Sequence, residues 1–252
     1  MNNILANIPP VVKNILLLNI LLYVATFLAQ MQGFDLAHIL GGYVFNSPYF
    51  EPYQIVTHFF MHGGFFHIVF NMFALVVFGS NLERVWGPKR FFIFYIATAL
   101  GAFFLHQLVG YIEVKAIESQ LVDAGYDLYS LKEKVMQLHS GQIENFQIIQ
   151  NTNGLVNSYI AGISVPVIGA SGAVFGVLVA FGYLFPNTKL MLLFPPIPIK
   201  AKWLVLIMIG IEFYSIIQNN PSDNIAHLAH IGGAVVGFII VFFWQKKSNK
   251  FY

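Results

Sequence analysis

The side chains of this chain that could do chemistry fall into three clusters. Ser171 stands in the run Gly169-Ala170-Ser171-Gly172-Ala173-Val174-Phe175-Gly176. His230 stands in Ala229-His230-Ile231-Gly232-Gly233-Ala234-Val235-Val236-Gly237, and the third cluster is His67-Ile68-Val69-Phe70-Asn71. A serine hydroxyl becomes a nucleophile beside a base that takes its proton, and histidine, with an unperturbed pKa of about 6.5, suits that task. Ser171 begins an apolar run, where free N–H groups and the positive end of a helix dipole would stabilise an oxyanion. His67 and Asn71 are four apart, so they share a helix face, and His and Asn donors are what an oxyanion hole uses. The pattern at Ser171 is G-x-S-G; Ala173 occupies the place where the soluble hydrolase elbow carries its last glycine. Each cluster alone also has a bland reading, since a membrane serine is usually hydrogen-bonded to its own backbone. Their convergence carries the argument.

The glycines say how the clusters could meet. Gly172 and Gly176 are one turn apart, and positions 226, 230, 233 and 237 fall on one face, so His230 shares a face with Gly233 and Gly237. Two helices with small-residue stripes can approach to backbone contact and bring hydroxyl and imidazole within reach. The elements themselves follow from composition. Of 252 residues, 57% are hydrophobic and 10% charged, with 13 Lys+Arg against 11 Asp+Glu, and the mean hydropathy is +0.69. This excludes a soluble globular enzyme, a disordered chain and a nucleic-acid binder. The absence of cysteine excludes disulfides, thiolate metal sites and a Cys nucleophile.

Apolar runs at 11–29, 65–82, 91–111, 171–185, 201–217 and 226–244 predict six transmembrane helices, an all-α polytopic membrane protein. The connections holding Arg84, Lys89, Arg90 and Lys189, Lys200, Lys202, the tail with Lys246, Lys247 and Lys250, and Lys13 form one set; residues 30–59 and 218–225 carry no Lys or Arg. By the positive-inside rule both termini are cytoplasmic, and the three clusters lie toward the extracytoplasmic side of the cell (inner) membrane. No small-x-small cleavage site follows the first run, so it reads as a retained span. Residues 30–59 suit the membrane interface. The stretch 112–160 is the water-like part, an extracytoplasmic insertion within one domain spanning 1–252. In it, Val114, Ile117 and Leu121, then Leu128, Leu131, Val135 and Leu138, predict two short amphipathic helices that cap or pack.

The combination H-x-x-x-N, G-x-S-G and A-H-x-x-G-x-x-x-G, on the second, fourth and sixth runs, resembles the rhomboid intramembrane serine proteases. The resemblance covers about residues 11–245. It implies a Ser171 nucleophile with His230 as general base and no acidic third member. The implied oxyanion hole is the Ser171 backbone N–H with His67 and Asn71, supported by Gly169, Gly172, Gly233 and Gly237. His62, and less closely His58, matches a family histidine tied to water access and packing. Residues 218–225 would be the mobile cap. The implied partners are a transmembrane protein substrate and the lipid bilayer, with no nucleic acid, no cofactor and no metal. The family's Trp-Arg pair in the first loop is absent; Tyr53-Gln54 stands near that place.

Other polar residues read more quietly. Glu212, midway along the fifth run where an acid is costly, is expected to be a protonated or hydrogen-bonded tie to a neighbouring helix. His227 reads as a helix-end partner, and His38, His106 and His139 as solvated or interfacial groups at span ends or outside the spans. Trp86, Trp203 and Trp244 read as an aromatic belt at cytoplasmic helix ends. Beside a catalytically inactive, rhomboid-like binding protein, the rival class is a metal-handling or transport protein, suggested by the spacing of His58 and His62 and of His227 and His230. It lacks an H-E-x-x-H motif and an inverted repeat.

Overall fold

The computed structural model describes residues 7–139, 154–191, 196–218 and 226–247. In chain order the helices are α1 (Pro10–Gln30), α2 (Leu36–Leu40), α3 (Gln54–Thr57) with a 3-10 turn His58–Phe60, and α4 (Phe65–Ala74). A π-helical turn, Leu75–Gly79, joins α4 to α5 (Ser80–Trp86), and α6 (Pro88–Asp123), α7 (Leu128–His139), α8 (Gly154–Ser164) and α9 (Ser171–Leu184) follow. The antiparallel pair β1 (Lys189–Met191) and β2 (Pro198–Lys200) leads into α10 (Ala201–Gln218), and α11 (His227–Lys247) comes last.

Five of these segments are long and apolar enough to cross a membrane: α1, α4 through α5, α6, α10 and α11. The fourth run forms only the 14-residue α9, about 21 Å long and short of the ~30 Å hydrocarbon thickness. Every residue of α9 from Gly172 to Gly182 is buried, which explains a helix that is apolar on all sides. It is the axis of the bundle, with α6 and α11 against it. Leu21, Phe27, Phe66, Phe70 and Ile217 turn outward, as they would toward lipid.

Local chemistry fixes the ends. Proline at the first turn starts α1, and the buried Glu83 of α5 accepts from the Val11 and Val12 amides at 2.9 and 2.8 Å. That carboxylate satisfies orphan donors and complements the helix dipole. Trp86 and Trp244 pack edge to face, with Arg90 over the Trp244 ring.

Some sequence expectations need correction. The second run extends to Trp86 through the π turn, and the third continues to Asp123. The first amphipathic helix of the insertion is therefore not separate: Val114, Ile117 and Leu121 lie on the extension of α6, which at 36 residues is about 54 Å long. The second, α7, is present, and α8 was not foreseen. Val114, Leu121, Val135, Val156, Tyr159, Ile160 and Ile163 form a small core there with Val44 of the first loop. Glu118 holds Lys115 at 2.7 Å and Lys132 at 3.1 Å. Residues 140–153 of the insertion and 219–225 of the expected cap lie outside the described residues.

The first loop is built into the bundle. Gln54, buried, accepts from the Tyr43 and Glu51 amides and donates to the Ile39 and Tyr49 carbonyls. It thus anchors the loop where the Trp-Arg pair is missing. Gly42 pairs with Val167, and Gly169 N–H donates to the His58 carbonyl at 3.0 Å. Those bonds hold the extended segment that delivers the chain to Ser171.

Candidate active site

Ser171 is the first residue of α9. The first helical bond runs from Val174 N–H to the Ala170 carbonyl, so the amides of Ser171, Gly172 and Ala173 precede the ladder and have no acceptor within it. Gly169 turns the chain into the helix with φ +124°, a conformation that side chains other than glycine's rarely adopt. A Cβ there would also meet His67 Nε2 at 2.7 Å, with Ser171 Oγ at 3.6 Å. The hydroxyl and the imidazole edge thus border the same small space over Gly169.

His230 comes to Ser171 because α9 and α11 touch backbone to backbone. A Cβ on Gly233 would lie 1.8 Å from the Gly172 carbonyl oxygen, and one on Gly237 would lie 2.7 Å from Gly176 Cα. With that approach His230 Nε2 stands 2.7 Å from Ser171 Oγ. The buried imidazole is stacked on Phe175, rings 4.4 Å apart and 10° from parallel, which limits its rotation. A nucleophile and a base at this distance can exchange a proton.

His67 Nδ1 accepts a long bond from Gly63 N–H, 3.4 Å. An acceptor Nδ1 puts the hydrogen of the neutral ring on Nε2, the nitrogen that faces Gly169. Asn71 is buried and donates to the His67 carbonyl at 2.9 Å; its amide has a second N–H to offer. His62 packs edge-on to His67 at 5.0 Å, and burial, then the His67 charge, pulls its pKa down to about 4. Burial likewise pulls His58 to about 4. Both are therefore neutral at pH 7. A cavity of about 10 Å³, the space of one water, lies among His58, Phe103, Ile168, Gly169, Ser171 and Ala229.

Two expectations for peripheral residues change. His106 lies mid-way along α6, partly buried and within charge range of His58 and His230. His38 is half-buried against the rings of Tyr43 and Tyr49 and hydrogen-bonds the Tyr43 hydroxyl. Both were expected to be solvated or interfacial. The rings of the built-in first loop are what cover His38. His139 ends α7, and its side chain lies outside the described residues.

Sequence reasoning set Glu212 apart from the chemistry. It is indeed a tie between helices, but one made to the site itself: its Oε2 lies 2.5 Å from His227 Nδ1 and 3.0 Å from His230 Nδ1. The clue was an acid in an apolar helix with no basic residue within a turn of it. Spacing could not find its partners, which come from another helix. Among the described residues, Glu212, His227 and His230 also form the cluster of three potential metal ligands, all within 4.8 Å of one another.

A family model described as the Rhomboid domain matches residues 49–113 and 129–247. The unmatched 114–128 contains the extension of α6. The chain is similar to Rhomboid protein 1, mitochondrial, of Saccharomyces cerevisiae, 26% identical over 204 residues, 78% of this chain and 43% of that protein. It is also similar to the putative rhomboid protease YdcA of Bacillus subtilis, 24% identical across 96% of this chain and 92% of the relative. Rhomboid protease GlpG of Haemophilus influenzae is 23% identical across 91% and 90%. The chain spans less than half the length of two mitochondrial relatives, 43% and 45%, and nine-tenths of YdcA and GlpG.

Proposed function

The chain belongs to the rhomboid family, and on that premise we propose that it is an intramembrane serine endopeptidase, one domain spanning residues 1–252, that cuts transmembrane segments of membrane proteins. Ser171 is the nucleophile and His230 the general base. The observation that carries this reading is the 2.7 Å contact of His230 Nε2 with Ser171 Oγ at the open start of α9.

The reaction runs in two halves. Ser171 Oγ attacks the scissile carbonyl while Nε2 of His230 takes its proton. The developing oxyanion is held by the Ser171 N–H, His67 Nε2–H and Asn71, fixed donors that need no reorganisation as the charge forms. The Nε2 proton then passes to the leaving amine. Water, activated by the same nitrogen, opens the acyl-serine and restores the hydroxyl. Among the relatives, GlpG is named a rhomboid protease and YdcA a putative one, which supports the reaction class.

In the membrane, the Lys and Arg distribution supports cytoplasmic termini and a site that opens on the opposite side. The test is cleavage of a model transmembrane substrate by wild type and Ser171→Ala, with products identified by mass. Wild type is expected to cut within the substrate's spanning segment and to be labelled at Ser171 by a fluorophosphonate. Cleavage retained by Ser171→Ala would sink the assignment.

A further inference from the structure

Helix α10 is peripheral. Its buried residues are Ala201, at the first position, and Glu212, while Leu206, Ile207, Ile211, Phe213 and Ile217 are each more than half exposed. A peripheral helix that buries an acid rather than an apolar side chain runs against the cost of a carboxylate at membrane depth. Something must reward it. The reward is visible in the geometry: Glu212 Oε2 is 3.0 Å from Nδ1 of His230, whose Nε2 is 2.7 Å from Ser171 Oγ. Carboxylate, imidazole and hydroxyl lie in series through the two nitrogens of one ring.

We propose that Glu212 is the positioning residue of a Ser171–His230–Glu212 triad, a proposal that rests on the Ser171–His230 reading above. The carboxylate holds the hydrogen of neutral His230 on Nδ1 and leaves the Nε2 lone pair to face Ser171. When Nε2 takes the serine proton, Glu212 stabilises the imidazolium and stays ionised. The proton leaves again from Nε2 to the departing amine, and Nδ1 keeps its own throughout. His227 donates from Nδ1 to the same carboxylate oxygen at 2.5 Å, which offsets the cost of the charge.

In this conformation the buried Nδ1 of His230 is close to Oε2 but has no aligned hydrogen-bond partner. The terminal torsion of a glutamate is soft, and catalytic hydrogen bonds tighten when substrate binds. Among the described residues, the other titratable groups around His230 are His227 on its own helix, His67 on α4 and His106 on α6. None of these is anionic, so among the described residues Glu212 supplies the negative charge. A metal ion fits these donors poorly. Tetrahedral zinc with Zn–N near 2.0–2.1 Å keeps neighbouring ligand atoms about 3.3 Å apart, whereas 2.5 and 3.0 Å are hydrogen-bond separations.

The test uses the full chain in micelles with one transmembrane substrate. It compares wild type, Glu212→Gln and Glu212→Asp, with Ser171→Ala as blank. Glu212→Gln is expected to lower kcat at least ~10-fold, and up to ~10⁴-fold if the amide inverts the tautomer, with KM within about twofold. Glu212→Asp keeps the charge and recovers part of kcat. Wild-type kcat in Glu212→Gln overturns the proposal. If that variant does not fold, ¹⁵N-histidine NMR of Ser171→Ala decides: an Nδ1-protonated His230 is expected, and an Nε2-protonated ring overturns it. Wild-type activity lost in EDTA and restored by Zn²⁺ also overturns it, assigning the cluster to a metal. Cleavage by Ser171→Ala would instead fail the underlying assignment, so the two failures are distinguishable.

Discussion

Ser171 owes its setting to two neighbours that differ in kind. Gly169 gives it a turn that other residues rarely adopt, and Phe175, one turn into α9, presses a ring against His230. His67 is set by Gly63 through Nδ1, and Asn71 by the His67 carbonyl. On the proposed mechanism Asn71 does two things, tying to the His67 carbonyl and donating to the oxyanion, and truncation separates them. Asn71→Ala is expected to weaken cleavage without abolishing it. Loss of one fully engaged oxyanion donor costs roughly 10²–10³ in kcat, and the fall here should stay within that range with KM little changed. Kinetics and a thermal midpoint measured together check this; collapse of the fold would assign Asn71 to structure instead. The residue types and the i, i+4 spacing were readable in the sequence. The tautomer of His67 was not, because it depends on an amide outside the helix.

Among elements, the contact of α9 with α11 does most to decide whether a site exists. The glycine stripes were legible as a close-packing face, and the structure gives them a scale: no methyl group fits between Gly233 and the Gly172 carbonyl. The clash is with backbone, so no rotamer change relieves it and the helices must separate. Gly233→Ala is expected to cost more than the ~1–3 kcal/mol of ordinary overpacking and to pull His230 from Ser171. It should lose most cleavage and lower the thermal midpoint. Gly210 of α10 has nothing within 4 Å of an added Cβ, so Gly210→Ala should leave both near wild type. Equal behaviour of the two variants would refute the close-packing argument. Less of α6 was legible. The amphipathic pattern at 114–121 was visible, but nothing local marked it as the same helix, since the pattern changes where the surroundings change rather than where the helix ends.

The whole molecule is a multi-pass membrane protein in which one short buried helix is ringed by longer ones. Its orientation can be tested simply, because the chain has no cysteine and any one introduced is the sole thiol. Tyr129, on α7, is 75% exposed, and Lys246 is exposed near the end of α11. In intact cells an impermeant maleimide is expected to label Tyr129→Cys, and Lys246→Cys only after permeabilisation; the reverse pattern would invert the proposed topology. By itself the sequence determined the membrane class, the helical runs and the residue types at the three clusters. Apolar length, charge asymmetry and glycine spacing are local properties that survive without knowledge of neighbours. Only the tertiary structure decided that α9 lies at the centre, that Gln54 anchors the first loop, and that Glu212 reaches the far side of His230. Those facts depend on which helix packs beside which, and a lone acid in an apolar run does not name its partner until another helix brings it.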